Sequence, residues 1–134
     1  MARTLRFKVE KLIRDKLPEI MRAQGLAVFD RRLDDEPYRA ALKAKLLEES
    51  QELAQAADRD ELLGELADVS EVLRAITAAH GFSLEEVEAA RLKKKDARGG
   101  FDDRVFNAAV SAPEGAPALD YYLARPGQYP LDDA

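Results

Sequence analysis

At 134 residues the chain has the size of one ordinary domain, large enough to bury a core and too short for two independent ones. It contains no cysteine, which leaves out a disulfide framework, a thiolate metal site and a cysteine nucleophile, and points to a reducing cytoplasm. The basic, alternating opening has no apolar signal core and no stretch approaches a membrane span, so a soluble cytoplasmic protein is expected.

The net charge of -5 is unevenly spread. Arg3, Arg6, Lys8, Lys11, Arg14 and Lys16 make the opening basic, and Arg91, Lys93, Lys94, Lys95, Arg98 and Arg104 repeat this near the other end. Between them, residues 34–71 are strongly acidic. That middle repels a nucleic-acid polymer, whereas carboxylates flanked by cations suit a small anion bridged to a metal.

In chain order, residues 5–9 and 26–33 alternate in part and could form short strands. Between them residues 15–24 read as a short helix, with Asp15 as cap, Pro18 in its first turn and Gly25 past its end. Asp34, Asp35, Glu36 and Pro37 then mark the start of a first long helix over 38–57. Asp58 and Asp60 open a second, which ends before Gly81. Ser83 and Glu86 form a capping-box pattern for a third long helix that runs to Ala97 and stops at Gly99-Gly100. Beyond Val110 the chain is rich in Pro and Gly, with Leu119, Tyr121, Tyr122 and Tyr129 as apolar anchors that pack on the body or a partner. The expected fold is mainly all-α, with a domain over 1–110 and an irregular tail over 111–134.

In the second long helix Leu62, Leu66, Val69, Leu73 and Ile76 follow the spacing of a packed seam, predicted to be core. Glu61, Glu65 and Asp68 each precede a seam residue by one position, which sets them in a row about 100° around the helix. In the first long helix the seam Leu42, Leu46, Leu53, Ala56 has Glu49 at its centre. A buried carboxylate must be neutralised by a raised pKa, a cationic partner or a metal. Glu52 lies three residues after Glu49, and Asp68 three after Glu65, so two acid pairs converge across the two helices. All-oxygen ligands of this kind favour Mg²⁺ or Mn²⁺. A di-iron bundle would require Glu-x-x-His pairs, whereas the single histidine, His80, follows the helix and suits its C-terminal dipole. For Glu48 and Glu61 a solvated, salt-bridged face is as good a reading as function.

The run Glu48-Glu49-x-x-Glu52 followed by Glu65-x-x-Asp68 resembles the EExxE and ExxD motifs of the all-α nucleoside triphosphate pyrophosphohydrolases, the MazG-like superfamily. Lys11-Leu12-Ile13-Arg14-Asp15-Lys16-Leu17-Pro18 is similar to the KLVRDKIP opening of its phosphoribosyl-ATP pyrophosphohydrolase-like branch, and Arg98-Gly99-Gly100-Phe101 to that branch's RGGF. The resemblance implies hydrolysis of a nucleoside triphosphate, often a non-standard one, to monophosphate and pyrophosphate. It makes Glu49, Glu52, Glu65 and Asp68 the metal ligands. The ions would neutralise phosphate oxygens and acidify a water, whose proton passes to Glu48 or a ligand carboxylate such as Glu49. Lys11, Arg14, Lys16, Lys95, Arg98 and Arg104 become the candidates for phosphate binding.

Two alternatives are phosphoribosyl-ATP pyrophosphohydrolase of histidine biosynthesis and a non-catalytic nucleotide-binding helical dimer. Three long helices and a short one are too few to cover acidic rows and apolar seams together. A homodimer or dimer of dimers is therefore expected.

Overall fold

A computed structural model of the protein describes residues 2–132. It is all-helical: α1 (Leu17–Ala23), α2 (Asp35–Ala54), α3 (Arg59–Ala79), α4 (Leu84–Arg98), a 3-10 turn (Pro117–Leu119) and α5 (Asp120–Leu123). No strand forms among the described residues, so residues 5–9 and 26–33 are irregular rather than extended partners. Arg22 holds the second of these instead, donating to the Val28 carbonyl at 2.9 Å and pairing with Asp30. Arg6 lies over the Phe29 ring, 4.3 Å from its centroid, and joins the two segments side chain to side chain.

The chain divides into two compact units, Met1–Lys94 and Lys95–Ala134. In the first, α1 begins after Lys16 rather than at the predicted Asp15 cap, because Lys16 is already in helical conformation and no side chain bonds the free amides. Both α1 and α3 close in the same way. Gly25 (φ 91°) and Gly81 (φ 77°) enter the left-handed region. There their N–H groups reach Arg22 and Ala78, while those of Leu26 and Phe82 reach back to Met21 and Thr77. This double closure satisfies carbonyls that the helix end leaves open.

The first long helix starts at Asp35, within the predicted Asp34–Pro37 start, with Asp34 as an N-cap whose side chain makes no bond. It stops at Ala54 instead of continuing to 57. There the start of α3 takes over: Asp58 accepts from the Glu61 N–H at 2.9 Å and Glu61 accepts from the Ala57 N–H at 2.9 Å. Glu61 is thus a capping residue. The Ser83 hydroxyl caps α4 at 3.1 Å from the Glu86 N–H.

Helices α2 and α3 pack against each other as a hairpin. The face that α3 turns to α2 is not the leucine seam. Among the described residues the buried hydrophobic side chains are Leu42 of α2 and Val72 of α3, with Glu49 beside them at 7 % exposure. Val72 lies four residues after Asp68 and seven after Glu65, on the acidic row. Leu62, Leu66 and Leu73 are 42–50 % exposed. The predicted core seam of α3 is therefore half open, because the helix is turned so that its carboxylates, not its leucines, meet α2.

The second unit contains the end of α4, the 3-10 turn and α5. Its tail is more ordered than composition suggested. Tyr122 packs edge-on against Tyr121 and Tyr129, with ring centroids 5.3 and 5.0 Å apart, and Arg125 stacks on Tyr121 at 3.9 Å. Residues 133 and 134 of the predicted tail lie outside the described residues.

Candidate metal and phosphate site

Glu49 arrives at the inner face of α2 from the seam Leu42, Leu46, Leu53, and is buried as that position requires. Opposite it, the turn of α3 brings Glu65 and Asp68. One carboxylate oxygen from each of Glu49, Glu65 and Asp68 lies within 4.8 Å of the others, a spacing that could hold a metal ion. Glu52, the fourth predicted ligand, is exposed and outside this trio, yet near enough for its charge to act on Glu65. Glu65 is held above the usual carboxylate range, first by desolvation and then by the charges of Glu52, Asp68 and Glu49.

The basic opening crosses this cluster. Glu10, with φ of 49°, takes a left-handed turn rare for a residue with a side chain. Lys11 follows and donates to Glu48 Oε1 at 3.1 Å. Three residues further, Arg14 donates to Asp68 Oδ1 at 2.7 Å. Two predicted phosphate ligands therefore pair, in this structure, with the predicted catalytic and metal-binding acids. Lys16 makes no ion pair among the described residues and is exposed. Beside Lys11, a cleft of about 270 Å³ opens between residues 10–12 and the Ala41, Ala44, Lys45 and Glu48 side of α2.

Sequence reasoning missed Lys45. Its ammonium lies 3.4 Å from Glu48 Oε2 and 3.3 Å from Glu49 Oε1. The signal was present in the spacing, since side chains three and four residues apart on a helix are neighbours. Glu48 is thus bridged on both oxygens. Desolvation pushes its carboxyl upward, but the hydrogen bond from Lys11 and the charge of Lys45 outweigh it, leaving Glu48 below its ordinary value. The cationic partner that Glu49 needed is in part supplied by the chain itself.

That supply is incomplete. Glu49 Oε2 and Glu65 Oε2 are buried with no hydrogen-bond partner. Orphaned carboxylate oxygens are costly away from water. The donor set of the trio, all oxygen, fits a hard cation.

Lys95, Arg98 and Arg104 belong to the second unit. Lys95 and Arg98 occupy the last turn of α4, where cations complement the helix dipole, and the Gly99 N–H bonds the Lys95 carbonyl at 2.7 Å. Arg104 takes a positive φ of 59° after a turn in which its N–H reaches the Phe101 carbonyl at 3.1 Å.

Acids from two helices of an all-helical chain thus converge on one site, and basic residues of the opening reach over them. The model of the phosphoribosyl-ATP pyrophosphohydrolase family matches residues 8–95, well over half of the chain, and the protein belongs to that family. The matched region takes in the opening motif and all four acidic ligand candidates, and ends before Arg98. An uncharacterized protein of Mycolicibacterium smegmatis is 49 % identical over 53 residues, which is 40 % of this chain. The match spans about half of that relative's length (54 %). No solved structure matches significantly. No helix among the described residues is long and apolar enough to cross a membrane.

Proposed function

We propose that the protein hydrolyses a nucleoside triphosphate, including non-standard ones, to the monophosphate and pyrophosphate, with Mg²⁺ or Mn²⁺ held by Glu49, Glu65 and Asp68 and completed by Glu52. The observation that carries this reading is the pair of buried, unpartnered oxygens of Glu49 and Glu65 within the acidic trio. A bound divalent ion supplies neutralisation of phosphate oxygens and a more acidic water.

The rest is done by the chain. Glu48, on the rim of the trio and kept deprotonated by Lys11 and Lys45, accepts the proton of the attacking water, a role a ligand carboxylate such as Glu49 can share. Water adds to the α or the β phosphorus, the P–O bond from that phosphorus to the bridging oxygen breaks, and the other product, pyrophosphate or the monophosphate respectively, leaves with the electron pair. Lys11, Arg14 and Lys16 bind the phosphates from the first unit. The catalytic domain is taken to be 1–110 and the tail, 111–134, an accessory to it.

The test is pyrophosphate release from a panel of ordinary and modified triphosphates with Mg²⁺, Mn²⁺ or EDTA. Metal-dependent release that is lost in Glu49→Gln and Asp68→Asn supports the reading, and full activity in either variant sinks it. A second reading, hydrolysis of phosphoribosyl-ATP, is favoured by the family match and belongs in the same panel. Turnover of that compound alone would make it the function.

The open leucine row of α3, with the half-exposed Leu84, Val87 and Leu92 of α4, supports a homodimer or dimer of dimers in which a second chain covers these faces. Light scattering that returns the mass of one chain would remove this part of the proposal.

A further inference from the structure

Lys45 differs from an ordinary surface partner on a helix. Its side chain is 21 % exposed, it is shared between two carboxylates, and one of these, the buried Glu49, belongs to the metal-capable trio. The ammonium takes Glu49 Oε1 and leaves Oε2 unpartnered among the acids. It therefore meets the charge of Glu49 only in part, and from the same helix.

We infer that Lys45 is a tethered stand-in for the metal ion, holding the charge of Glu48 and Glu49 when no ion is bound and thereby setting how tightly the site takes one. This rests on the reading of the trio as a metal site. Two cations serving the same carboxylate repel each other in a poorly screened setting, so each weakens the hold of the other. The metal-free protein gains from Lys45, because removing one partner of a buried pair leaves an uncompensated charge. The metal-bound protein gains less. The cationic side chain thus trades metal affinity for a site that stays folded without metal. Lys11 pairs with Glu48 and Arg14 with Asp68; Arg14 feels the charge of Glu49 but makes no ion pair with it, so neither repeats the contact of Lys45 with Glu49.

The experiment compares the full chain with Lys45→Met, which keeps the length and packing of the stem, and Lys45→Arg, which keeps the charge. Mn²⁺ binding is followed by calorimetry, and thermal unfolding is recorded in EDTA and in saturating Mn²⁺. Lys45→Met is expected to bind Mn²⁺ roughly tenfold more tightly, as loss of a nearby like charge predicts. It should also unfold earlier in EDTA and show a wider gap between the EDTA and Mn²⁺ midpoints, while Lys45→Arg stays near the wild type. Unchanged or weaker Mn²⁺ binding in Lys45→Met overturns the proposal, as does an equal loss of midpoint in both conditions, the mark of a purely structural ion pair. Lys45→Gln repeats the comparison if the Met variant does not fold. Absence of Mn²⁺ binding in the wild type would instead bring down the metal site itself, and the role of Lys45 with it.

Discussion

The α2 and α3 halves of the acidic site are built on the same plan and neutralised differently. Each helix brings one acid paired to the basic opening, Glu48 to Lys11 and Asp68 to Arg14, and one acid with a buried, unpartnered oxygen, Glu49 and Glu65. On α2, however, Lys45 joins both acids from within the same helix. No cation on α3 pairs with Glu65 or Asp68 among the described residues, and Glu65 is pushed upward while Glu48 is drawn down. Two helices that each bring one paired and one orphaned acid thus give two electrostatic environments, and the difference lies in a residue outside the motif.

The largest expected effect tests what the halves share. Glu49→Gln should lower metal-dependent turnover by at least two orders of magnitude, since each factor of ten reflects about 1.4 kcal/mol and a metal's hold on transition-state charge contributes several. A loss as large in Glu65→Gln would show the orphaned oxygens to be equivalent.

Next comes Arg14. Its pair with Asp68 is more than half exposed on the arginine side, so its loss should shift the unfolding midpoint little. If Arg14 passes from Asp68 to substrate phosphate, Arg14→Ala should raise KM about tenfold or more through the lost charge-assisted bonds. An unchanged KM would confine Arg14 to holding the acids.

The smallest effect concerns Glu65 in the metal-free protein. Its folded-state pKa is raised, so the folded form binds the proton more tightly than the unfolded one. Ionising Glu65 therefore lowers stability, beginning as pH rises past the unfolded value and complete above the folded one. In EDTA, Glu65→Gln should match the wild type at low pH and become the more stable protein as pH approaches neutrality. Glu48, whose pKa is lowered, works in the opposite sense: its stabilisation is present at neutral pH and fades on acidification through its folded value. Parallel curves for Glu65→Gln and wild type across this range would contradict the arrangement of charges around Glu65.

Much of this was legible in the residues. Asp58 and Ser83 marked helix starts because their side chains bond the free amides there, and Gly25 and Gly81 marked ends because the closing turn needs positive φ. Glu49 could be placed inside from its seam position alone. Asp34 was less informative: it makes no side-chain cap, so nothing local fixed where α2 begins. Periodicity also found the leucine row of α3 without saying what it meets. A hydrophobic stripe and an acidic row 100° apart compete for the same partner helix, and only three-dimensional pairing shows that Val72, Glu65 and Asp68 face α2. Lys45 escaped because motif spacing draws attention to acids, while their counter-charges carry no pattern of their own.

The turn of α3 that puts acids inside and leucines outside makes the two faces of one helix answer to salt in opposite directions. Added electrolyte screens the pairing of Arg14 and Lys11 with the acids, while strongly hydrated salts favour any apolar contact made by Leu62, Leu66 and Leu73. The hairpin loosens within as its outer face becomes more adhesive, so ionic strength can separate the forces that hold the site from those that would hold a neighbour.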